Sequence, residues 1–259
     1  MTDLPVHRYP GRDGLQLAYR ELGTGRPLLL LHGFITDWTL WTDFGPAKAL
    51  AERGFRVILP DLRGHGASPK PHEPYPPDVL ADDGLALIDW LGLDDYDLGG
   101  YSLGGRIALR LLARGARPAR AIVAGQGFEA CTRIRNSQNR RTLTALVDGT
   151  ELEPGSPEAQ QAYWIKQSNG DPRALLNILD AQVPTPESAL PLITTPVLVA
   201  VGDQDHEHAS ADALAAALPD ARFTRVPGNH FTAIGSPEFA AAVTDFLTRH
   251  GVVARQGNA

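Results

Sequence analysis

The run Tyr96-Asp97-Leu98-Gly99-Gly100-Tyr101-Ser102-Leu103-Gly104-Gly105-Arg106-Ile107-Ala108-Leu109-Arg110-Leu111-Leu112-Ala113-Arg114-Gly115 decides the fold. A short apolar stretch, Tyr96 to Tyr101, passes straight into a helical pattern in which Leu103, Ile107, Ala108, Leu111 and Leu112 share one face and Gly115 is the stop. At the junction stands Gly100-Tyr101-Ser102-Leu103-Gly104, a G-x-S-x-G set on a strand-to-helix turn. A hydroxyl on so tight a turn is exposed and its backbone strained. Gly100 and Gly104 omit the Cβ atoms that would clash where strand and helix approach. The Leu103 N–H, at the positive end of the helix, is placed to stabilise charge developing on a reacting carbonyl oxygen. G-x-S-x-G alone arises by chance in glycine-rich loops; its position here marks Ser102 as a candidate nucleophile.

Outward from that turn, short apolar runs alternate with helix-length amphipathic stretches, which predicts an α/β protein with a mainly parallel sheet. Residues His7–Pro10 and Leu15–Arg20, around a Gly11–Gly14 turn, read as a starting hairpin. Further strands are expected at Leu28–His32, Val57–Asp61, Tyr96–Tyr101, Ala119–Ala124, Val197–Gly202 and Arg222–Val226. A last helix has Ser236 as N-cap, Pro237 at its first position and Glu238 in the first turn, and should bury Phe239, Val243, Phe246 and Leu247. Residues beyond about Arg249 lose the pattern and are expected to fray.

Residues 126–192 interrupt the alternation with helical pieces and no strand, which predicts a small helical lid inserted into a core of residues 1–125 and 193–259. Ser156-Pro157-Glu158 and Asp171-Pro172 are start signals within it, and Pro184, Pro186 and Pro191 mark the return to the sheet.

The 259 residues are 43% hydrophobic and 21% charged, the composition of a globular domain with room for a large core. Lys plus Arg number 24 against 30 acids, a net charge of −6 with no basic block, which disfavours a nucleic-acid partner. The single cysteine, Cys131, makes no internal disulfide and excludes a cysteine-rich zinc site. The first ten residues lack the apolar run of a signal peptide, and apolar runs such as Leu28–Leu31 are far too short to cross a bilayer. A cytoplasmic protein without membrane attachment is expected, as a monomer or homodimer.

A serine needs a base, most often a histidine oriented by a carboxylate. His230, in Pro227-Gly228-Asn229-His230-Phe231 after the last strand, lies at the same sheet edge as Ser102 and is the candidate base. His32 and His65 stand in glycine-flanked turns, where a ring is expected to hydrogen-bond backbone. His7, His72 and His250 are expected to be solvated. For the acid, the strand ending Ala124-Gly125-Gln126 offers none, whereas the next ends Gly202-Asp203-Gln204-Asp205. Asp205 is preferred, because residues just past a strand end are usually spent on the turn, which Asp203 would then cap. Asp203 stays open as the alternative. Asp205-His206-Glu207-His208 also has the look of a metal tract, but lacks an H-E-x-x-H companion, and no metal is expected.

With these residues in place, the chain resembles the α/β-hydrolase superfamily along nearly its whole length. Leu30-Leu31-His32-Gly33-Phe34 is similar to the family's oxyanion segment, which implies that the Phe34 N–H joins that of Leu103. Asp61-Leu62-Arg63-Gly64-His65-Gly66-Ala67-Ser68 resembles the D-x-R-G-x-G-x-S loop of lidded members. Gly202 with Asp205, and Gly228 with His230, resemble the family's acid and base segments. Two departures stand out. His206-Glu207-His208-Ala209 fills the stretch where many relatives have a proline past the acid, and Ser102 replaces the nucleophilic Asp of the haloalkane dehalogenase and epoxide hydrolase branches.

The resemblance implies a Ser102–His230–Asp205 triad cleaving a small carboxylic ester through an acyl-enzyme, without a cofactor. The same triad would serve C–C, lactone or thioester hydrolysis or acyl transfer; a non-catalytic binding protein on this fold is the reading from another class. Trp38, Trp41, Phe128, Tyr163 and Trp164 are candidate substrate contacts for a partly apolar pocket. Arg133, Arg135, Arg140 and Arg141 could attract an anion, although a solvated helix face accounts for them better.

Overall fold

A computed structural model describes residues 4–134 and 137–249. In chain order the elements are β1 His7–Pro10, β2 Gln16–Leu22, β3 Arg26–Leu31, α1 Ala47–Ala51, β4 Phe55–Pro60, α2 Val79–Trp90, β5 Asp97–Tyr101, α3 Leu103–Ala113 and β6 Arg120–Ala124. Then follow α4 Phe128–Thr132, α5 Ser137–Asp148, α6 Pro157–Gln167, α7 Pro172–Ala181, β7 Val197–Gly202, α8 Ala211–Ala216, β8 Ala221–Val226 and α9 Pro237–Arg249.

The eight strands form one sheet in the order β1-β2-β4-β3-β5-β6-β7-β8. The β1–β2 hairpin joins antiparallel to β4, and every other pairing is parallel. Apolar residues fill both faces of the central strands because helices cover both sides. Leu28 and Leu30 pack with Leu50, Trp41, Phe239, Val243, Phe246 and Leu247 on one face, whereas Leu29 and Leu31 pack with Leu87, Ile107 and Leu111 on the other. That split is the two-residue period of a strand. All four apolar residues expected on the last helix are buried. The tail beyond Arg249, His250 included, and Arg135 lie outside the described residues.

Helices α4 to α7 and a helical turn at Glu187–Leu192 fill the stretch between β6 and β7, with no strand among the described residues there. The cap signals hold at atomic level: Ser156 accepts from the Ala159 N–H, and Asp171 from those of Arg173 and Ala174. Helix α7 lies over the loop that follows β4, where the Ile178 side chain presses on Gly64 and the Asn177 amide donates to the His72 and Glu73 carbonyls. Arg133, Arg140 and Arg141 pair at the surface with Glu187, Asp180 and Glu158. No helix among the described residues is long and apolar enough to cross a membrane.

Candidate active site

Strand β5 runs between β3 and β6, so the turn at its carboxyl end faces the ends of both neighbours. Ser102 occupies that turn with φ 55° and ψ −118°, a conformation that L residues rarely adopt. Its surroundings leave no room to relax. A Cβ at Gly100 would meet the Gly104 carbonyl, and one at Gly104 would meet the Leu31 carbonyl. The Ser102 N–H donates to the Ala124 carbonyl at 2.8 Å, and the buried Gln126 amide donates to the Ser102 carbonyl at 2.8 Å. Gln126 in turn accepts from the Cys131 thiol, which burial pushes up to about 12.

Three side chains from three sheet-edge loops meet here. Ser102 Oγ lies 2.9 Å from His230 Nε2, and His230 Nδ1 lies 2.8 Å from Asp205 Oδ2. With Nδ1–H donating to the carboxylate, Nε2 is left as the acceptor that faces the serine hydroxyl. Asp205 is buried, and burial alone would raise its pKa. The hydrogen bonds from His208 and His230 outweigh that and hold it well below the usual carboxylate range. Tyr101 donates its hydroxyl to the His230 carbonyl at 2.8 Å and so fixes the loop that carries the base.

Asp203 does not reach His230. Its Oδ1 accepts from the Gly228 N–H at 2.9 Å, so it ties the β7 loop to the β8 loop rather than capping its own turn. His32 and His65 bond backbone, as their turns led us to expect. His32 Nδ1 meets the Gly33 carbonyl while Nε2 accepts the Leu62 N–H, and His65 Nδ1 meets the Arg63 carbonyl. Desolvation lowers the pKa of both rings.

The Gly33 backbone abuts the Ser102 side chain: a Cβ there would lie 3.4 Å from the serine Cβ. This brings Phe34, the next residue, to the mouth of the site. Leu103 opens α3, so its N–H has no acceptor within the helix. Among the described residues the Phe34 N–H meets no acceptor either. Behind this segment the buried Asp61 carboxylate accepts from Arg20 at 2.8 Å, the Trp38 N–H at 3.1 Å and the Ala67 N–H at 2.9 Å, which ties the Asp61–Ser68 loop to it.

The aromatic candidates separate. Trp41 is a correction: it is 0% exposed, its indole N–H donates to the Leu31 carbonyl, and its ring packs near Phe239. It belongs to the core beneath the sheet rather than to a pocket. Trp38 is half-buried with the Arg20 guanidinium over its ring, and Phe128 opens α4 beside the His206–His208 turn. Tyr163 and Trp164 stand 57% and 60% exposed on α6, edge-on to each other. Tyr163 lines a cavity of about 510 Å³ between α5, α6 and α7, to which none of Ser102, Asp205 and His230 contributes.

Sequence reasoning assigned no role to three residues at this site. Gln126 and Tyr101 sit inside stretches already singled out, but only the fold shows what their side chains hold. The third is His208, whose Nδ1 lies 2.9 Å from Asp205 Oδ1 and whose ring stacks on His230. Asp205, His208 and His230 each bring one potential metal-ligand atom within 4.8 Å of the others. Both ring Nδ1 atoms already bond the carboxylate, so an ion would have to replace two hydrogen bonds.

The fold that carries this serine turn has counterparts among known proteins. A family model described as the alpha/beta hydrolase fold matches residues 26–127. The solved structure of a thermophilic esterase from Thermogutta terrifontis superposes with a TM-score of 0.77 at 26% identity, covering 96% of this chain and 100% of that one. This chain belongs to the α/β-hydrolase superfamily. Among curated members, the AB hydrolase superfamily protein YisY of Bacillus subtilis is 39% identical over 108 residues, 42% of this chain and 40% of that protein. The non-heme chloroperoxidase CPO-A1 of Kitasatospora aureofaciens is 37% identical over 103 residues, 40% of this chain and 37% of that protein. This α/β-hydrolase thus matches less than half the length of these two relatives.

Proposed function

We propose that this α/β-hydrolase cleaves small carboxylic esters, with Ser102 as nucleophile, His230 as base and Asp205 as the acid that orients it. The observation that carries this reading is the unbroken hydrogen-bonded row Ser102 Oγ, His230 Nε2, His230 Nδ1, Asp205 Oδ2, with both steps at 2.8–2.9 Å. The Ser102 oxygen attacks the ester carbonyl carbon as its proton passes to His230 Nε2. The N–H groups of Phe34 and Leu103 receive the oxyanion, each such donor supplying about 3 kcal/mol. The tetrahedral adduct collapses, the alkoxide leaves with the proton from His230, and the acyl group stays on Ser102. Water, deprotonated by His230, then attacks the acyl carbon, and the carboxylic acid departs as the serine regains its proton. No step requires a dissociable cofactor.

In this reading α4 to α7 form a lid over the core, and Phe128 and Trp38 contact the substrate. The proposed place of action is the cytoplasm, on a small-molecule partner. The similarity to the Thermogutta terrifontis esterase over most of both chains favours ester cleavage. The chloroperoxidase relative bears the name of a different activity, and turnover of the nitrophenyl esters is what favours ester cleavage over it.

The test is labelling with a fluorophosphonate, comparing wild type with Ser102→Ala and following hydrolysis of nitrophenyl esters of increasing chain length. Labelling that disappears in Ser102→Ala is the expected result, and the chain-length profile sizes the acyl pocket. A wild type that neither labels nor turns over overturns the reading in favour of a binding protein on the same fold.

A further inference from the structure

His208 sits in a short helical turn, His206–His208, three residues past Asp205, and is only 7% exposed. Its Nδ1 lies 2.9 Å from Asp205 Oδ1, the carboxylate oxygen that His230 does not use. Its ring lies 4.7 Å from that of His230, 20° from parallel. Among the described residues the Asp205 carboxylate accepts from these two imidazoles alone. The neighbouring backbone donors are spent elsewhere: Asp203 N–H on the Val226 carbonyl, Gln204 N–H on Gly228 and His208 N–H on the Asp205 carbonyl.

A carboxylate held through one oxygen turns readily, because the terminal torsion of Asp is broad. A second donor on the other oxygen fixes its plane, and with it the direction from which His230 is gripped. The tautomers follow from the charge. A His208 ring protonated on Nε2 would aim the Nδ1 lone pair at an anionic oxygen, so the Nδ1–H form is favoured. The stacked ring also lies along the face of His230, whereas Tyr101 meets that imidazole tilted at 5.8 Å and Phe231 edge-on at 5.5 Å.

We propose that His208 is a positioning residue for the reaction, pinning the second oxygen of Asp205 and bracing the His230 ring so that Nε2 stays directed at Ser102. The inference rests on the reading of Ser102 as nucleophile. It also gives a use to the His206-Glu207-His208 stretch, which in the sequence alone has the look of a metal tract.

Other titratable groups on the surrounding elements are Tyr101 on β5, Glu129 and Cys131 on α4 and Asp212 on α8, with Asp203, His206 and Glu207 on the same loop. Burial, and after it the charge of Asp205, raise the Tyr101 pKa well above its usual value, so this phenol stays neutral through the working range. The hydrogen bond from His208 is the largest influence favouring the ionised form of Asp205. Removing it makes the carboxylate easier to protonate and leaves its charge unshared on His230. It is the unshared charge that moves the acidic limb of the rate profile to higher pH.

The test uses the full chain as His208→Phe, which keeps a flat ring without the donor, and His208→Asn, whose amide N–H falls near the place of Nδ1–H. His208→Phe is expected to lower kcat by about tenfold or more with KM within about twofold, and to move the acidic limb upward. His208→Asn is expected to return kcat to within about threefold of wild type. A wild-type kcat and pH profile in His208→Phe overturns the proposal, as does equal loss in both variants with an unmoved profile, the mark of a purely structural contact. Nitrogen NMR of the wild-type imidazoles needs no variant: Nδ1–H on both His208 and His230 is expected, and His208 protonated on Nε2 overturns the proposal. Fluorophosphonate labelling of the wild type stands apart from all of these. Its absence removes the nucleophile reading, whereas labelled wild type with indifferent His208 variants removes only the positioning role.

Discussion

Strain at Ser102 is held in place by groups that do no chemistry. A backbone at φ 55° and ψ −118° costs about 1–3 kcal/mol, and the Ala124 carbonyl and Gln126 amide on either side of it keep it from relaxing. The acid is defined with similar economy. Asp205 and Asp203 stand two residues apart, yet one reaches His230 and the other the Gly228 N–H. Asp205→Asn is therefore expected to lower kcat by about three to four orders of magnitude, because an amide permits the wrong imidazole tautomer. Asp203→Asn is expected to stay within about tenfold, since an amide oxygen still accepts from Gly228. Steady-state kinetics on one nitrophenyl ester ranks the two, and the opposite order would mean that the acid is Asp203. The depressed pKa of Asp205 also fixes a sign: what its ionised form adds to stability is complete above the unfolded value of about 3.9 and is lost only as pH falls through its lower native value. The acidic limb of the wild-type profile, measured from pH 4 upward, should consequently show no second inflection from this carboxyl.

At the scale of elements, the signals that start helices carried most of the information. Ser236 accepts from the Phe239 N–H at 3.1 Å, so Ser236→Ala should cost about 1 kcal/mol and lower Tm by about 2–4 °C in a thermal melt, with kcat unchanged. The same logic made α6 and α7 legible, because a cap followed by proline is a local event that needs no tertiary partner. The central strands were legible for a related reason: buried on both faces, they are written as plain apolar runs, and no strand end shifts by more than two residues. Where reading stopped, the missing quantity was direction. Trp41 follows the Leu30–Phe34 segment closely enough to read as a pocket aromatic, and nothing local says that its indole turns down to the Leu31 carbonyl. His208 was visible as part of a metal-like tract, but its meaning depends on a helical turn that folds it back onto Asp205 and on a loop 22 residues later that brings His230 beneath it. Ser102, Asp205 and His230 could be picked out because each follows a strand of one parallel sheet, and the sheet does the gathering.

At the scale of the whole molecule, the two ends of that sheet have different work. The carboxyl ends carry Ser102, Asp205 and His230, whereas the amino end of β5 buries Asp97 between arginines from both adjacent strands. Asp97 is fully buried, its Oδ2 lies 2.7 Å from both Arg26 Nε and Arg120 Nη2, its Oδ1 accepts from Arg120 Nε at 2.9 Å, and Arg120 also donates to the Leu247 carbonyl of α9. This cluster joins three strands to the last helix about 16 Å from the serine, at the rise of an extended chain. Asp97→Ala would leave the Arg120 guanidinium buried without its counter-charge, a loss of about 3–5 kcal/mol. The melting temperature is expected to fall by about 6 °C or more, while kcat, measured well below the new transition and per labelled active site, stays within about twofold. Normalising to fluorophosphonate-titrated sites matters, because a fall in total activity alone would mix lost molecules with slower ones. A kcat that dropped with Asp97→Ala on that basis would show that the frame at the amino ends sets the geometry at the carboxyl ends, and the division between the two ends of the sheet would have to be given up.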